Sequence, residues 1–179
     1  MKGAPSAARL RRIKLVVTDV DGVLTDGTIY HFVDTAGELV EFKGIHSHDS
    51  IALAWLAESG FVTGVISGRV SKGVEARLKI LKVAHIYQHR LDKTAVLDEI
   101  LKKEGLTDEQ VAYLGDDLPD LPVLRRAGVG VAPANARAEV KAAAAWVTKA
   151  RGGEGAFREF AEALLRAHGL WDGVLARYK

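Results

Sequence analysis

A chain of 179 residues, 48% hydrophobic and 27% charged, is long enough to bury a core and too apolar to be wholly disordered. Its 25 Lys and Arg against 23 Asp and Glu give a net charge of +2, without the strong basic bias of a dedicated nucleic-acid binder. The lack of cysteine excludes disulfides, thiolate nucleophiles and Cys-based zinc sites, no apolar run approaches the roughly 18 residues of a membrane span, and residues 1–12 lack the apolar stretch of a secretory signal, which together suit a cytoplasmic protein.

The first ten residues read as a loose tail, and the basic stretch 9–14 (RLRRIK) as a solvated lead-in to a strand at 13–18 (IKLVVT). Residues 26–43 read as a hairpin: 28–33 and 38–42 are β-prone, and 34–37 (DTAG) supply the turn. A helix follows over 49–59, with Asp49 as its N-cap and Gly60 as its stop. Strand and helix then alternate: strands at 61–66, 84–87, 111–114, 128–131 and 146–148, helices at 71–81, 92–103, 117–126 and 135–144. After Gly152, Gly153 and Gly155 a last helix covers 156–167, and 169–179 reads as a tail. The alternation predicts a single α/β domain over 1–179, with a doubly wound, mostly parallel sheet. Sites in such sheets lie beyond the carboxyl ends of strands.

Four predicted strand ends carry polar residues: 19–25 (DVDGVLT), 67–69 (SGR), Asp92-Lys93, and 115–120 (GDDLPD). Each has an ordinary reading. A DxDG stretch is common in turns, Ser67 suits a helix cap, Lys93 a surface position, and Asp116 and Asp117 can cap the helix containing Pro119. Together they describe acids crowded at one sheet edge, which persist where a cation compensates them; Mg²⁺, an oxygen-seeking ion that accompanies phosphates, fits. Asp19 and Asp21 are placed so that one carboxylate can attack phosphorus while the other moves protons. Ser67 offers a hydroxyl, and Lys93 a charge for the transferring group.

The ordered set DVDGVLTDG, SGR, DK and GDDLPD resembles the haloacid dehalogenase superfamily of aspartate-nucleophile phosphatases. With VVTDVDGVLTDGTIY, GVISGRVSK and RGGEGAFRE, the chain is most similar within it to the 3-deoxy-D-manno-octulosonate 8-phosphate phosphatases, over about residues 12–165. The resemblance implies Asp19 as nucleophile and Asp21 as general acid and base. It implies Mg²⁺ held by Asp19, the Asp21 backbone carbonyl and Asp116, with Asp117 and Asp120 in support. Ser67, Gly68 and Lys93 would hold the phosphate, and Arg69 and Lys72, from a GRxxK pattern, would meet a substrate carboxylate, to which an Arg fork is suited. The chain departs from the family where His46-Ser47-His48-Asp49-Ser50 replaces an acidic-glycine pair and His89 replaces a glycine. His46 and His48 have the spacing of a metal pair but no third soft ligand nearby, and read as polar loop histidines.

No segment is long enough for a cap domain, so the core is capless and the hairpin is its flap. The resemblance implies a homotetramer in which hairpins assemble and a neighbour's tail helps cover each site. Ile29, Phe32, Leu39 and Phe42 give the hairpin apolar side chains for such packing. Two alternatives stand: a phosphatase of nonulosonate 9-phosphates, or a receiver-like module that keeps a phospho-aspartate. Asp21 and the hairpin argue against the receiver. The expected partner is a small anionic sugar phosphate, not nucleic acid or membrane.

Overall fold

The computed structural model describes residues 2–179. Six strands form one parallel sheet: β1 (Leu15–Thr18), β4 (Val62–Ile66), β5 (His85–Tyr87), β6 (Val111–Leu114), β7 (Val129–Ala132) and β8 (Trp146–Val147). The spatial order is β5-β4-β1-β6-β7-β8, so the chain winds to both sides of β1. Strand order reverses there, and the crevice at the carboxyl end of β1 is the place for a ligand.

The strands are buried on both faces, which explains their unbroken apolar runs. Alternate residues feed two cores. Val16, Val65, Ala112 and Leu114 join the core made with α2 (Ser47–Glu58), α3 (Lys72–Ile80) and α7 (Ala156–Ala167). Leu15, Val17, Ile66, Val111 and Tyr113 join the other, with α4 (Lys93–Glu104), α5 (Leu121–Arg126) and α6 (Ala138–Ala143). The hairpin is a separate antiparallel ribbon of β2 (Tyr30–Val33) and β3 (Leu39–Phe42), with Tyr30 opposite Phe42. Its turn is closed by Asp34 Oδ1, which accepts from the N–H groups of Ala36 and Glu38.

Several local expectations change. The N-terminus is docked: α1 (Ala7–Leu10) buries Leu10, and the Lys2 carbonyl accepts from Val147 N–H at 2.9 Å, satisfying the edge strand β8. The C-terminus is also folded. α8 (Trp171–Ala176) buries Trp171 and Val174, and Trp55 Nε1 donates to Tyr178 Oη at 2.8 Å. The Arg158 guanidinium lies 4.0 Å from the Trp55 ring centre. Asp49 is not the N-cap of α2. That helix begins at Ser47, and the Asp49 carboxylate is buried against the start of α7, accepting from Gly155 N–H (3.2 Å) and Arg158 N–H (2.7 Å). It caps a helix distant in sequence. The helix read over 117–126 divides into a 3₁₀ turn, Leu118–Asp120, and α5, because Asp120 folds back onto the backbone before it and Pro122 offers no N–H. The helix read from 135 begins at Ala138, since Asn135 is committed to another segment.

Candidate active site

Asp19 follows β1, Ser67 follows β4, the loop to Arg90 follows β5, and Gly115-Asp116 follow β6. These strand ends converge on a cavity of about 330 Å³ lined by Asp19, Asp21, Ser67, Gly68, Arg69, Arg90, Lys93, Asp116, Asp117 and Asp120, with Gly27, Ile29, Leu91 and Pro119 at its walls. The sequence-picked residues are therefore brought together, except Lys72. Lys72 is the first residue of α3, exposed and outside the cavity.

The loop after Asp19 is shaped by local bonds. Leu24 and Thr25 donate through their N–H groups to the Val20 carbonyl, and the buried Thr25 hydroxyl accepts from Gly22 and Gly27 N–H. Gly22 has φ +84°, and a Cβ there would fall 2.1 Å from Asp116 Oδ2. The glycine run seen in the sequence packs beneath this loop. A Cβ on Gly152 would fall 1.7 Å from the Gly22 carbonyl oxygen, Gly153 N–H donates to Val23 O, and Asn135 Oδ1 accepts from Gly152 N–H at 2.7 Å. The run is thus a support for the loop carrying Asp19 and Asp21.

Lys93 heads α4, and its ammonium is buried between two carboxylates: 3.1 Å from Asp19 Oδ1 and 2.7 Å from Asp120 Oδ1. Burial alone would lower its proton affinity, but Asp19 and Asp120 hold it above the usual lysine range. Asp120 is saturated. Its Oδ1 also accepts from Tyr113 Oη at 2.6 Å, and its Oδ2 from Asp116 N–H (2.9 Å) and Asp117 N–H (3.1 Å). It is thereby a fixed post that aims Lys93 and shapes the β6 loop.

Asp19 is pushed up to about 6 by burial, against the pull of Lys93. Asp116 rises to about 7, from burial and then from the charges of Asp120, Asp19 and Asp117. Its Oδ1 is buried without a partner. Oxygens of Asp19, Asp116 and Asp120 lie within 4.8 Å of one another. Because Asp120 is spoken for, Asp19 and Asp116 are the carboxylates free to receive a cation; the Asp21 carboxylate lies outside that cluster. Asp117 is exposed and caps the 3₁₀ turn.

Three residues that the sequence does not single out, Lys43, Glu41 and Arg90, complete the picture. Lys43, just past β3, buries its side chain and reaches Asp21 Oδ1 at 2.7 Å and Glu41 Oε1 at 3.1 Å. Arg69 lies 3.8 Å from Asp21 Oδ2 and 3.6 Å from Glu41 Oε2. Neither Lys43 nor Glu41 has a local signature, since their role comes from the hairpin folding over the β1 loop. Arg90 was missed for another reason: only its nearness to Lys93 in the sequence hinted at the site. His46 sits at the root of the flap, its N–H donating to Leu24 O, with Nδ1 3.7 Å from Asp49 Oδ2.

Known proteins match this arrangement. A family model described as haloacid dehalogenase-like hydrolase matches residues 80–159. A 3-deoxy-D-manno-octulosonate 8-phosphate phosphatase, KdsC of Haemophilus influenzae, is 38% identical over 161 residues, covering 90% of this chain and 87% of that protein. The crystal structure of a probable yrbi family phosphatase from Pseudomonas syringae superposes with a TM-score of 0.90 at 48% identity, covering 96% of each chain. That of the 3-deoxy-D-manno-octulosonate 8-phosphate phosphatase from Moraxella catarrhalis, in complex with a magnesium ion, a phosphate ion and KDO, superposes with a TM-score of 0.90 at 36% identity, covering 97% of each chain. With its six parallel strands, flap and acidic crevice, the chain belongs to the haloacid dehalogenase-like hydrolases, in the family of the 3-deoxy-D-manno-octulosonate 8-phosphate phosphatases.

Proposed function

We propose that this protein is a Mg²⁺-dependent phosphatase that hydrolyses the phosphomonoester of 3-deoxy-D-manno-octulosonate 8-phosphate through an aspartyl-phosphate on Asp19. The observation that carries the reading is the buried Asp19 carboxylate, 3.1 Å from Lys93 Nζ and facing a cavity that Ser67 and Asp116 also line.

The residues fit a hard divalent cation: the orphaned, buried Asp116 Oδ1 stands beside Asp19, and the single Lys93 ammonium leaves the negative charge of Asp19, Asp116 and Asp120 in excess. Asp19, Asp116 and the Asp21 backbone carbonyl would hold it. When bound, such an ion offsets the charge of nucleophile and phosphate and keeps Asp19 ionised.

Asp19 attacks phosphorus, its other contacts fixed by Lys93. Ser67, Gly68 and Lys93 bind the phosphoryl oxygens, with Lys93 neutralising charge that grows on them. Asp21 protonates the leaving alkoxide, then takes a proton from the water that opens the aspartyl-phosphate. Lys43 and Arg69 hold the Asp21 carboxylate in place for both roles. Asp117 and Asp120 shape the loop around Asp116.

The reading takes residues 1–179 as one domain that works in the cytoplasm as a homotetramer. The flap supports assembly: Tyr30, Phe32, Val33, Leu39 and Phe42 are all exposed, and Tyr30 and Phe42 stack 5.1 Å apart. Among the described residues, no helix is long and apolar enough to cross a membrane. The test is phosphate release, with and without Mg²⁺, over a panel of octulosonate 8-phosphate, nonulosonate 9-phosphate and simple sugar phosphates. The reading expects the first to be turned over best, and only with Mg²⁺. Best turnover of a nonulosonate 9-phosphate would replace the substrate, and Mg²⁺-independent turnover would remove the metal.

A further inference from the structure

Tyr113, on β6, is fully buried and lines no part of the cavity, yet its hydroxyl donates to Asp120 Oδ1 at 2.6 Å. Packing alone does not ask for that hydroxyl. The ring belongs to an apolar core shared with Leu97, Val123 and Leu124, where a phenylalanine would fill nearly the same space. A hydroxyl carried into such a core costs its solvation unless it is bonded. The bond is short, as befits a hydroxyl donating to an ionised carboxylate. Burial, then the charges of Asp120 and Asp19, push Tyr113 well above the usual phenol range, so it stays a donor.

The two oxygens of Asp120 are held differently. Oδ2 is pinned by the Asp116 and Asp117 N–H groups of its own loop. Oδ1 takes Tyr113 and the Lys93 ammonium together, so its place depends on those two donors. Lys93 reaches it on a four-carbon stem with free rotors, and a flexible stem cannot fix the carboxylate it leans on. The Tyr113 ring can, because it stands on a central strand. Its Cα pairs with Val17 of β1 and Gly130 of β7, and Asp19 follows two residues after Val17. One ladder thus places both the hydroxyl and Asp19. From Tyr113 the chain of contacts runs to Asp120 Oδ1, to the Lys93 ammonium at 2.7 Å, and on to Asp19 Oδ1 at 3.1 Å. The tyrosine bond also draws charge from Asp120 Oδ1, which tempers its claim on the ammonium and leaves Lys93 available to Asp19.

We propose that Tyr113 is a positioning residue for phosphoryl transfer: its hydroxyl, acting through Asp120, holds Lys93 where it serves Asp19 and the phosphoryl oxygens. It lies outside the cavity and meets neither substrate nor ion. This inference rests on the phosphatase reading above.

The experiment is single-turnover phosphate release from 3-deoxy-D-manno-octulosonate 8-phosphate, with enzyme in excess so that slow variants can be read. It is run across a Mg²⁺ titration in wild type, Tyr113→Phe, Lys93→Met and the double variant. Tyr113→Phe is expected to slow release about three- to tenfold, the worth of one hydrogen bond, at an unchanged half-saturating Mg²⁺ concentration. In the Lys93→Met background it is expected to have no further effect, because Lys93 is the group it acts through. A wild-type rate in Tyr113→Phe, or the same loss with and without Lys93, overturns the positioning role and leaves the phosphatase reading standing. A raised Mg²⁺ requirement in Tyr113→Phe overturns it too, since the loop carrying Asp116 would then have moved and the role would be structural. A wild type that releases no phosphate overturns the phosphatase reading and the inference with it.

Discussion

The Lys43 ammonium, at the exit of the flap, lies 2.7 Å from the Asp21 carboxylate at the exit of β1. The Lys43 side chain is 1% exposed, so this ion pair is shielded from solvent on the lysine side. The flap is therefore wired to the loop that carries Asp19 and Asp21. Lys43→Met removes a charged hydrogen bond from Asp21, worth about 1.5–3 kcal/mol, and is expected to lower kcat about ten- to hundredfold, with Lys43→Arg retaining more. Steady-state phosphate release measures it, and wild-type kcat in Lys43→Met would show that Asp21 needs no support from the flap.

Asp120 and Asp116 sit on one loop and respond oppositely to loss of charge. Asp120→Ala leaves the Lys93 ammonium with Asp19 alone, strands the Tyr113 hydroxyl and two backbone N–H groups, and is expected to destabilise the fold by about 3–5 kcal/mol. Asp116→Asn removes one of several repelling charges and is expected to raise the melting temperature of the metal-free protein at pH 8 while abolishing turnover. Urea unfolding and thermal melts of the two variants decide this. A stabilised Asp120→Ala or a destabilised Asp116→Asn contradicts the division of roles.

The raised carboxyls make a signed prediction for pH. Asp19 and Asp116 titrate near 6 and 7 in the folded metal-free chain, against 3.8 when exposed. Between about pH 4 and 7 the folded state holds protons that the unfolded state has released. Their contribution to stability is complete below about pH 4 and is lost as pH rises through 6 and 7. A cation that takes the place of those protons restores it. The Mg²⁺-induced rise in melting temperature is therefore expected to be larger at pH 8 than at pH 5, and an equal or larger rise at pH 5 would contradict the assignment of these carboxylates to the ion.

Gly152 supports the loop after β1, which carries Asp19 and Asp21, by leaving room for it. Its missing Cβ would lie 1.7 Å from the Gly22 carbonyl oxygen, a clash with backbone rather than with a side chain that can swing away. Gly152→Ala is expected to cost about 2–3 kcal/mol and to reduce kcat by displacing Asp19 and Asp21. Chemical denaturation alongside turnover tests both, and a variant with wild-type stability would mean the contact is softer than its geometry implies.

The elements legible in the sequence are those fixed by local pattern. β6 lies at 111–114 and α7 at 156–167, as their period and flanking glycines indicate. The polar strand ends were readable because acids after apolar runs have few reasons to be there. What stayed hidden depends on partners far away in the chain. Asp49 looks like a cap for the helix it begins, yet its carboxylate caps α7, more than 100 residues on. Lys43 looks like any lysine after a strand until the flap folds over Asp21. The C-terminal segment looks loose because the surface that holds it, Trp55 and Arg158, belongs to α2 and α7.

The central claim is that Asp19 is the nucleophile. Phosphate release from 3-deoxy-D-manno-octulosonate 8-phosphate with saturating Mg²⁺, measured for wild type and Asp19→Asn, tests it most directly. Asn is nearly the same size but a poor nucleophile, so the fold and the cavity should persist while kcat falls by roughly 10⁴-fold or more. Turnover by Asp19→Asn at a rate close to wild type would contradict the account.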